Sequence, residues 1–188
     1  NTYADDLAEV AGIQTVFNLA DSQETMEAYG GYAESYYATL NVIPLDMGVD
    51  FAAEDFAAKL KTGLEYLLAN EGPYLIHCNE GKDRAGFVSA VLEALMGASL
   101  DEIVADYMTS YENYYHVEEG SEQYDRIAES NIMASLRMIA GLEAGADLSG
   151  TDLRAAAVGY LTETVGLSAQ QVEDPQAVLS GTAAEAAA

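Results

Sequence analysis

The sequence predicts an α/β fold: a central, mostly parallel sheet flanked by helices, with extra helices toward the C-terminus. Three observations carry this. Short β-rich runs at residues 13–19, 36–45 and 73–76 alternate with helical patterns. The longest of those patterns places Phe56, Leu60, Leu64, Leu67 and Leu68 at helical spacing. From Ser121 onward only helical patterns follow.

Each element has its own signal. Residues 5–11 read as a short helix, and Ile13-Gln14-Thr15-Val16-Phe17-Asn18-Leu19 alternates as a strand does. Asp21-Ser22 offers a helix cap, with Glu24 in the first turn, and Gly30-Gly31 ends that helix. Residues 36–45 form the second strand, ending near Pro44, and a loop holding Gly48 covers 46–50. The helix over 51–69 stops at Gly72-Pro73, where the third strand starts. Val88, Val91, Leu92 and Leu95 make the apolar stripe of a helix over 87–96, closed by Gly97. Ser99 with Glu102 is a capping box for the next helix. Tyr107 and Tyr111 are four apart on it and share a face, expected to pack with wet hydroxyls; the functional alternative is an aromatic wall beside a phosphate site. Residues 147–167 and 168–179 read as a helical extension, and the alanine-rich 182–188 as a frayed or artificially added end. The division expected is a catalytic core over 1–145 and an extension over 146–188 packed on the same domain.

Composition bounds the function. The chain has 188 residues, half of them apolar, which suits one domain with a real core and excludes disorder by composition. Its formal net charge is −25, from 32 acidic and 7 basic residues, so nucleic acid and anionic lipid are disfavoured partners. A solubility or habitat adaptation accounts for most of that charge. Two of the seven cations, Lys82 and Arg84, sit two positions apart, a local exception to the field. No apolar run approaches the ~18 residues that a spanning helix needs. The single cysteine rules out an intrachain disulfide and a cysteine-rich metal site. The first residue is Asn and no signal pattern is visible, so the chain is expected to begin inside a longer one. A soluble protein, cytoplasmic or secreted, is the expectation.

The run His77-Cys78-Asn79-Glu80-Gly81-Lys82-Asp83-Arg84-Ala85-Gly86 carries the chemistry. A strand pattern leads into it and a helical pattern leads out. At such a turn backbone N–H groups converge, which binds an oxyanion and favours a thiolate. An arginine fork binds two phosphate oxygens at once. These parts suit attack on a phosphate monoester, with Cys78 as nucleophile and Arg84 holding the phosphoryl oxygens. Gly81 and Gly86 let the backbone curl and the helix pack close, while Asn79, Glu80, Lys82, Asp83 and Ala85 contribute mainly N–H groups. The bland alternatives are a buried structural cysteine and an arginine in a surface ion pair.

The run resembles the Cys-x5-Arg signature of the cysteine-based protein tyrosine phosphatases. Its Gly-Lys-Asp-Arg core is similar to a bacterial branch that includes secreted tyrosine and phosphoinositide phosphatases. The motif covers about ten residues, and the strand–loop–helix context extends the likeness over 11–115. The resemblance implies a protein tyrosine phosphatase-like fold, a phosphocysteine intermediate, and a role for His77 in holding the loop and influencing the thiol. It leaves three candidates for the general acid. Asp83 lies inside the loop; Asp46 lies 32 residues before Cys78, the offset of a mobile-loop acid in dual-specificity members; Asp50 lies 28 before it. Asp46 and Asp50 can equally be turn residues. Most members place Ser or Thr after the arginine, where this chain has Ala85, which implies slow breakdown of the phosphoenzyme. Glu80 either points outward or biases against polyphosphorylated substrates.

Three readings follow. The first is hydrolysis of phosphotyrosine in a phosphorylated protein. The second is the same chemistry on a phosphoinositide or inositol phosphate, which the cation of Lys82 inside the loop favours and the net charge opposes at a membrane. The third is a phosphate-binding module without catalysis. None calls for a metal or a cofactor, and His116 reads as a surface or hydrogen-bonded histidine. Arsenate reduction needs more cysteines than the one present.

Overall fold

The structure, a computed structural model, describes residues 2–179; the expectation for 182–188 lies outside them. The chain divides after Glu80 into two compact units.

The first unit holds α1 (Thr2–Val10), β1 (Thr15–Asn18), α2 (Gln23–Ala28), a 3-10 turn (Tyr37–Thr39), β2 (Asn41–Pro44), α3 (Glu54–Ala69) and β3 (Tyr74–His77). The strands form one parallel sheet in the order β2-β1-β3. Thr15 pairs with Asn41 and Tyr74, and Asn18 with Pro44 and His77, so the three carboxyl ends share one edge. All four β1 residues are buried, Thr15 and Asn18 among them. Thr15 Oγ1 donates to the Glu71 carbonyl at 2.7 Å, which satisfies that buried hydroxyl. Phe56, Leu60, Leu64 and Leu67 form the inward stripe of α3. Gly63 lets α3 approach the sheet: a Cβ there would lie 2.8 Å from Leu45 Cδ1 and 3.5 Å from Phe17 Cε2.

Among the boundaries that differ from expectation, two bear on the site. Residues 36–45 are not one strand, because Tyr37–Thr39 coil into a 3-10 turn and only Asn41–Pro44 pair. The turn sets the half-buried Tyr37 ring edge to face with His77, a tertiary contact that overrides local β preference. The helix expected from residue 51 starts at Glu54, since the Asp50 carboxylate accepts from Ala52 N–H at 3.2 Å and holds a turn there.

The second unit is helical. It holds α4 (Arg84–Met96), α5 (Leu100–Tyr115), α6 (Glu122–Ala128), a π-helical turn (Glu129–Met133), α7 (Ala134–Ile139), α8 (Leu153–Gly159), a second π-helical turn (Tyr160–Thr164) and α9 (Ala169–Leu179). The helix expected over 147–167 begins only at Leu153, after a non-helical stretch, and α9 falls within the helix expected over 168–179. In α4 Phe87, Val88, Val91 and Leu95 are all buried, and the helix packs on α5 and α8. Such a helix belongs inside. Phe87 meets Tyr160 edge to face, centroids 5.9 Å apart. Gly97 closes α4 in the left-handed region at φ 90°, and the Ser99–Glu102 capping box opens α5. Arg137, buried on α7, forms a fork with Glu129 at 2.7 and 3.1 Å and donates from Nε to the Ala146 carbonyl at 2.7 Å. Among the described residues no helix is long and apolar enough to cross a membrane.

Candidate active site

The motif begins where β3 ends. Its first three members after the strand, Cys78, Asn79 and Glu80, close the first unit, and Gly81 to Gly86 open the second. Open α/β sheets bind ligands outside the carboxyl ends of their strands, and Cys78 follows such an end directly.

In the first unit the loop is braced by β1 and by the 3-10 turn. Asn18, the last residue of β1, is 2% exposed. Its Oδ1 accepts from the N–H groups of Ala20 and Asp21, both at 3.0 Å, and its Nδ2 donates to Asp21 Oδ2 at 2.9 Å. This Asx turn fixes the sheet edge. The Tyr37 hydroxyl lies 2.8 Å from His77 Nε2, with the two rings edge to face at 5.7 Å. His77 Nδ1 lies 3.4 Å from the Cys78 carbonyl oxygen. A carbonyl only accepts, so Nδ1 carries the proton, Nε2 accepts, and Tyr37 donates. Burial holds the His77 pKa below its ordinary value, against the opposing pull of the Cys78 carbonyl and Asp21. Burial likewise raises the Tyr37 hydroxyl, keeping it a donor. Cys78 is a half-buried free thiol, whereas Asn79 and Glu80 are exposed.

In the second unit the loop turns into α4. Gly81 takes φ 77°, the left-handed conformation that only glycine adopts without strain. Asp83 occupies the N-cap of α4, but its side chain does not cap the helix. Its carboxylate instead meets Lys82 Nζ at 2.7 Å. Lys82 Nζ also lies 5.8 Å from the centroid of the Tyr111 ring, within cation–π reach. Arg84 is the first residue of α4, Ala85 behind it is buried, and Gly86 faces Tyr107. A Cβ on Gly86 would fall 2.7 Å from Tyr107 Cε2, so the glycine permits that approach. The structure therefore gathers Lys82, Asp83 and Gly86 with Tyr107 and Tyr111.

Asp46 and Asp50 follow β2. Asp46 has φ 46°, donates its N–H to the Asp21 carbonyl at 3.0 Å, and accepts Lys59 Nζ on its own carbonyl, leaving its exposed carboxylate out of those bonds. It leaves the same sheet edge as Cys78, but β1 lies between their strands, a gap of two strand spacings or about 10 Å. The Asp50 carboxylate serves its turn through Ala52. Among the described residues no group of three His, Cys, Asp or Glu side chains could hold a metal ion.

Sequence reasoning missed Tyr37 and Asn131 as neighbours of the motif. Tyr37 lay inside an expected strand. Asn131 Nδ2 donates to the Tyr111 hydroxyl at 2.9 Å, and both tyrosines are buried, so their hydroxyls are not the wet groups expected.

Comparison with known proteins agrees with the phosphatase family that the sequence resembles. A family model described as the tyrosine phosphatase family matches residues 2–180. The triple specificity protein phosphatase PtpB of Mycobacterium tuberculosis is 52% identical over 44 residues, 23% of this chain and 16% of that protein. The match thus spans about a sixth of that relative's length. The core catalytic domain of the PP-IP phosphatase SIW14 from S. cerevisiae, solved with citrate, is 22% identical, with a TM-score of 0.42 over 72% of this chain and 77% of that one.

Proposed function

This chain belongs to the tyrosine phosphatase family, and from that premise we propose that it hydrolyses phosphate monoesters through Cys78, with phosphotyrosine in proteins as its first substrate. The observation that carries the proposal is the Cys78-to-Arg84 run, set between the end of a parallel strand and the start of a helix.

The reaction has two steps. The Cys78 thiolate attacks phosphorus while the ester P–O bond breaks, and the leaving oxygen takes a proton from an acid. Water then attacks the phosphocysteine, the S–P bond breaks, and inorganic phosphate departs. Arg84 and the backbone N–H groups of residues 79–86 hold the phosphoryl oxygens as charge spreads over them. Asp83 is the first choice of acid, with Asp46 and Asp50 as rivals. Asp83 is engaged by Lys82 at 2.7 Å, so it serves only when that lysine turns to another anion. His77, pinned between Tyr37 and the Cys78 carbonyl, holds the loop rather than moving protons. In this reading residues 1–145 form the catalytic core and 146–188 an extension on the same domain.

A second substrate class, an inositol phosphate or phosphoinositide, is favoured by Lys82, an additional cation within the loop. The name of the mycobacterial relative, which records triple specificity, supports keeping both classes. The test is a panel of phosphotyrosine peptide, phosphoserine peptide and inositol phosphates against wild type, Cys78→Ser, Asp83→Asn, Asp46→Asn and Asp50→Asn. Turnover lost in Cys78→Ser with phosphate binding retained is the expected result. A low turnover unchanged in Cys78→Ser would leave a binding module and overturn the proposal. The aspartate variant in which the alkaline-side fall of activity disappears identifies the acid.

A further inference from the structure

We propose that Asn131 is a positioning residue for the phosphate loop: by anchoring the Tyr111 hydroxyl it fixes the aromatic face on which the Lys82 ammonium rests. The inference rests on the phosphatase reading above, and it deepens that reading by adding a residue 47 positions beyond Arg84 in sequence.

Five contacts within the second unit support it. Asn131 Nδ2 donates to the Tyr111 hydroxyl at 2.9 Å. Lys82 Nζ sits 5.8 Å from the Tyr111 ring centroid and 2.7 Å from the Asp83 carboxylate. The Tyr107 and Tyr111 rings lie 5.8 Å apart at an interplanar angle of 35°. Tyr107 in turn closes on Gly86, the last residue of the motif. A lysine has four rotatable carbons and a compact charge, so its place depends on what confines it. The Asp83 carboxylate and the Tyr111 ring are among the groups that confine it, and the ring is tied at its far end. Asn131 lies in the π-helical turn of residues Glu129–Met133, a distortion of the kind that recurs at functional sites. The extra residue of that turn shifts the helical phase at Asn131, which meets α5 through Tyr111.

If this is right, loosening Tyr111 frees Lys82 without touching the nucleophile. The cost then falls on substrate capture rather than on the chemical step. Two readouts test it: Michaelis kinetics with p-nitrophenyl phosphate, and the NMR signal of the Lys82 side chain, which reports its place over the ring without any turnover. In Asn131→Ala the expected KM rises about threefold to tenfold, the range one hydrogen bond carries, while kcat changes less than about twofold. Tyr111→Phe, which keeps the ring and drops the oxygen, must reproduce that split. In a Lys82→Met background Asn131→Ala must have no further effect on KM. The Lys82 signal must move toward its free-lysine position in both single variants. The proposal is overturned if that signal stays put, if KM is unchanged in an active Asn131→Ala enzyme, or if the KM effect persists without Lys82. A wild type that turns over no monoester while the Lys82 signal still moves would overturn the hydrolytic reading and keep the positioning. Circular dichroism melts of each variant exclude loss of fold as the cause.

Discussion

Tyr37 and His77, 40 residues apart, meet in a 2.8 Å hydrogen bond that holds the histidine ring beside the nucleophile. With Nδ1–H directed at the Cys78 carbonyl, Nε2 can only accept, and the tyrosine hydroxyl is what fills it. The residue beside the nucleophile is thereby a fixed neutral imidazole.

Tyr37→Phe removes this donor and keeps the ring. The expected cost is ~1 kcal/mol of stability, the net worth of one hydrogen bond. Nitrogen-15 NMR of His77 should show the Nε2 resonance shifted toward that of an acceptor without a partner. An unchanged resonance would show that the hydroxyl does not donate to Nε2.

Gly86→Ala forces a methyl group to 2.7 Å from Tyr107 Cε2 and 2.8 Å from Cδ2. The ring sits in a buried stack with Tyr111 and has little room to yield. Overpacking of this sort costs about 1–3 kcal/mol. A melt lowered by several degrees is expected, at about 2–4 °C per kcal/mol for a chain of this size. Retained stability would mean that Tyr107 moves aside.

Glu93 on α4 is half-buried beside Asp106 on α5, and burial, then the Asp106 charge, then their mutual hydrogen bond push its pKa up to about 7. The ordinary glutamate in the unfolded chain titrates near 4.5. Between those values the folded state holds a proton that the unfolded state has released, so stability falls as pH rises from about 4.5 to about 7. Above that window both states are ionised and the slope ends. Glu93→Gln should flatten the profile and raise the melt at pH 8 by a few degrees. Thermal melts across pH 4.5–8 check it, and a variant with the wild-type slope would refute it.

Ala85 is buried and has no hydroxyl at the position where most members of the family carry Ser or Thr. On the proposed mechanism the phosphocysteine accumulates, so single-turnover measurements on wild type should show a burst of leaving group. Ala85→Ser should shrink the burst and raise kcat about tenfold, as expected for one hydrogen bond to a charged atom. A linear wild-type progress curve at high enzyme would contradict this.

The parallel α/β plan was legible because its signals are local. Ser22 and Ser99 cap helices as their sequence neighbours indicate, and Gly97 closes α4 as its position suggests. The motif is read from its spacing alone, with Cys78 directly after a strand and Arg84 opening a helix. What stayed hidden depends on residues far apart in sequence. Tyr37 sits in a β-rich run, and only its contact with His77 bends that run into a 3-10 turn. Asn131 gave no signal, since a π-helical turn has no periodicity of its own to read. The Lys82–Asp83 contact joins adjacent side chains, which spacing cannot distinguish from two residues pointing apart.

The widened turn at Glu129–Met133 makes the length of that segment matter more than its letters. Deleting a single residue there would restore regular winding and swing the preceding helix by about 100°. Glu129 would then leave the guanidinium of Arg137, and Asn131 would lose its reach to α5. Substitutions at Ser130 and Met133 should therefore be borne far better than any change in the number of residues.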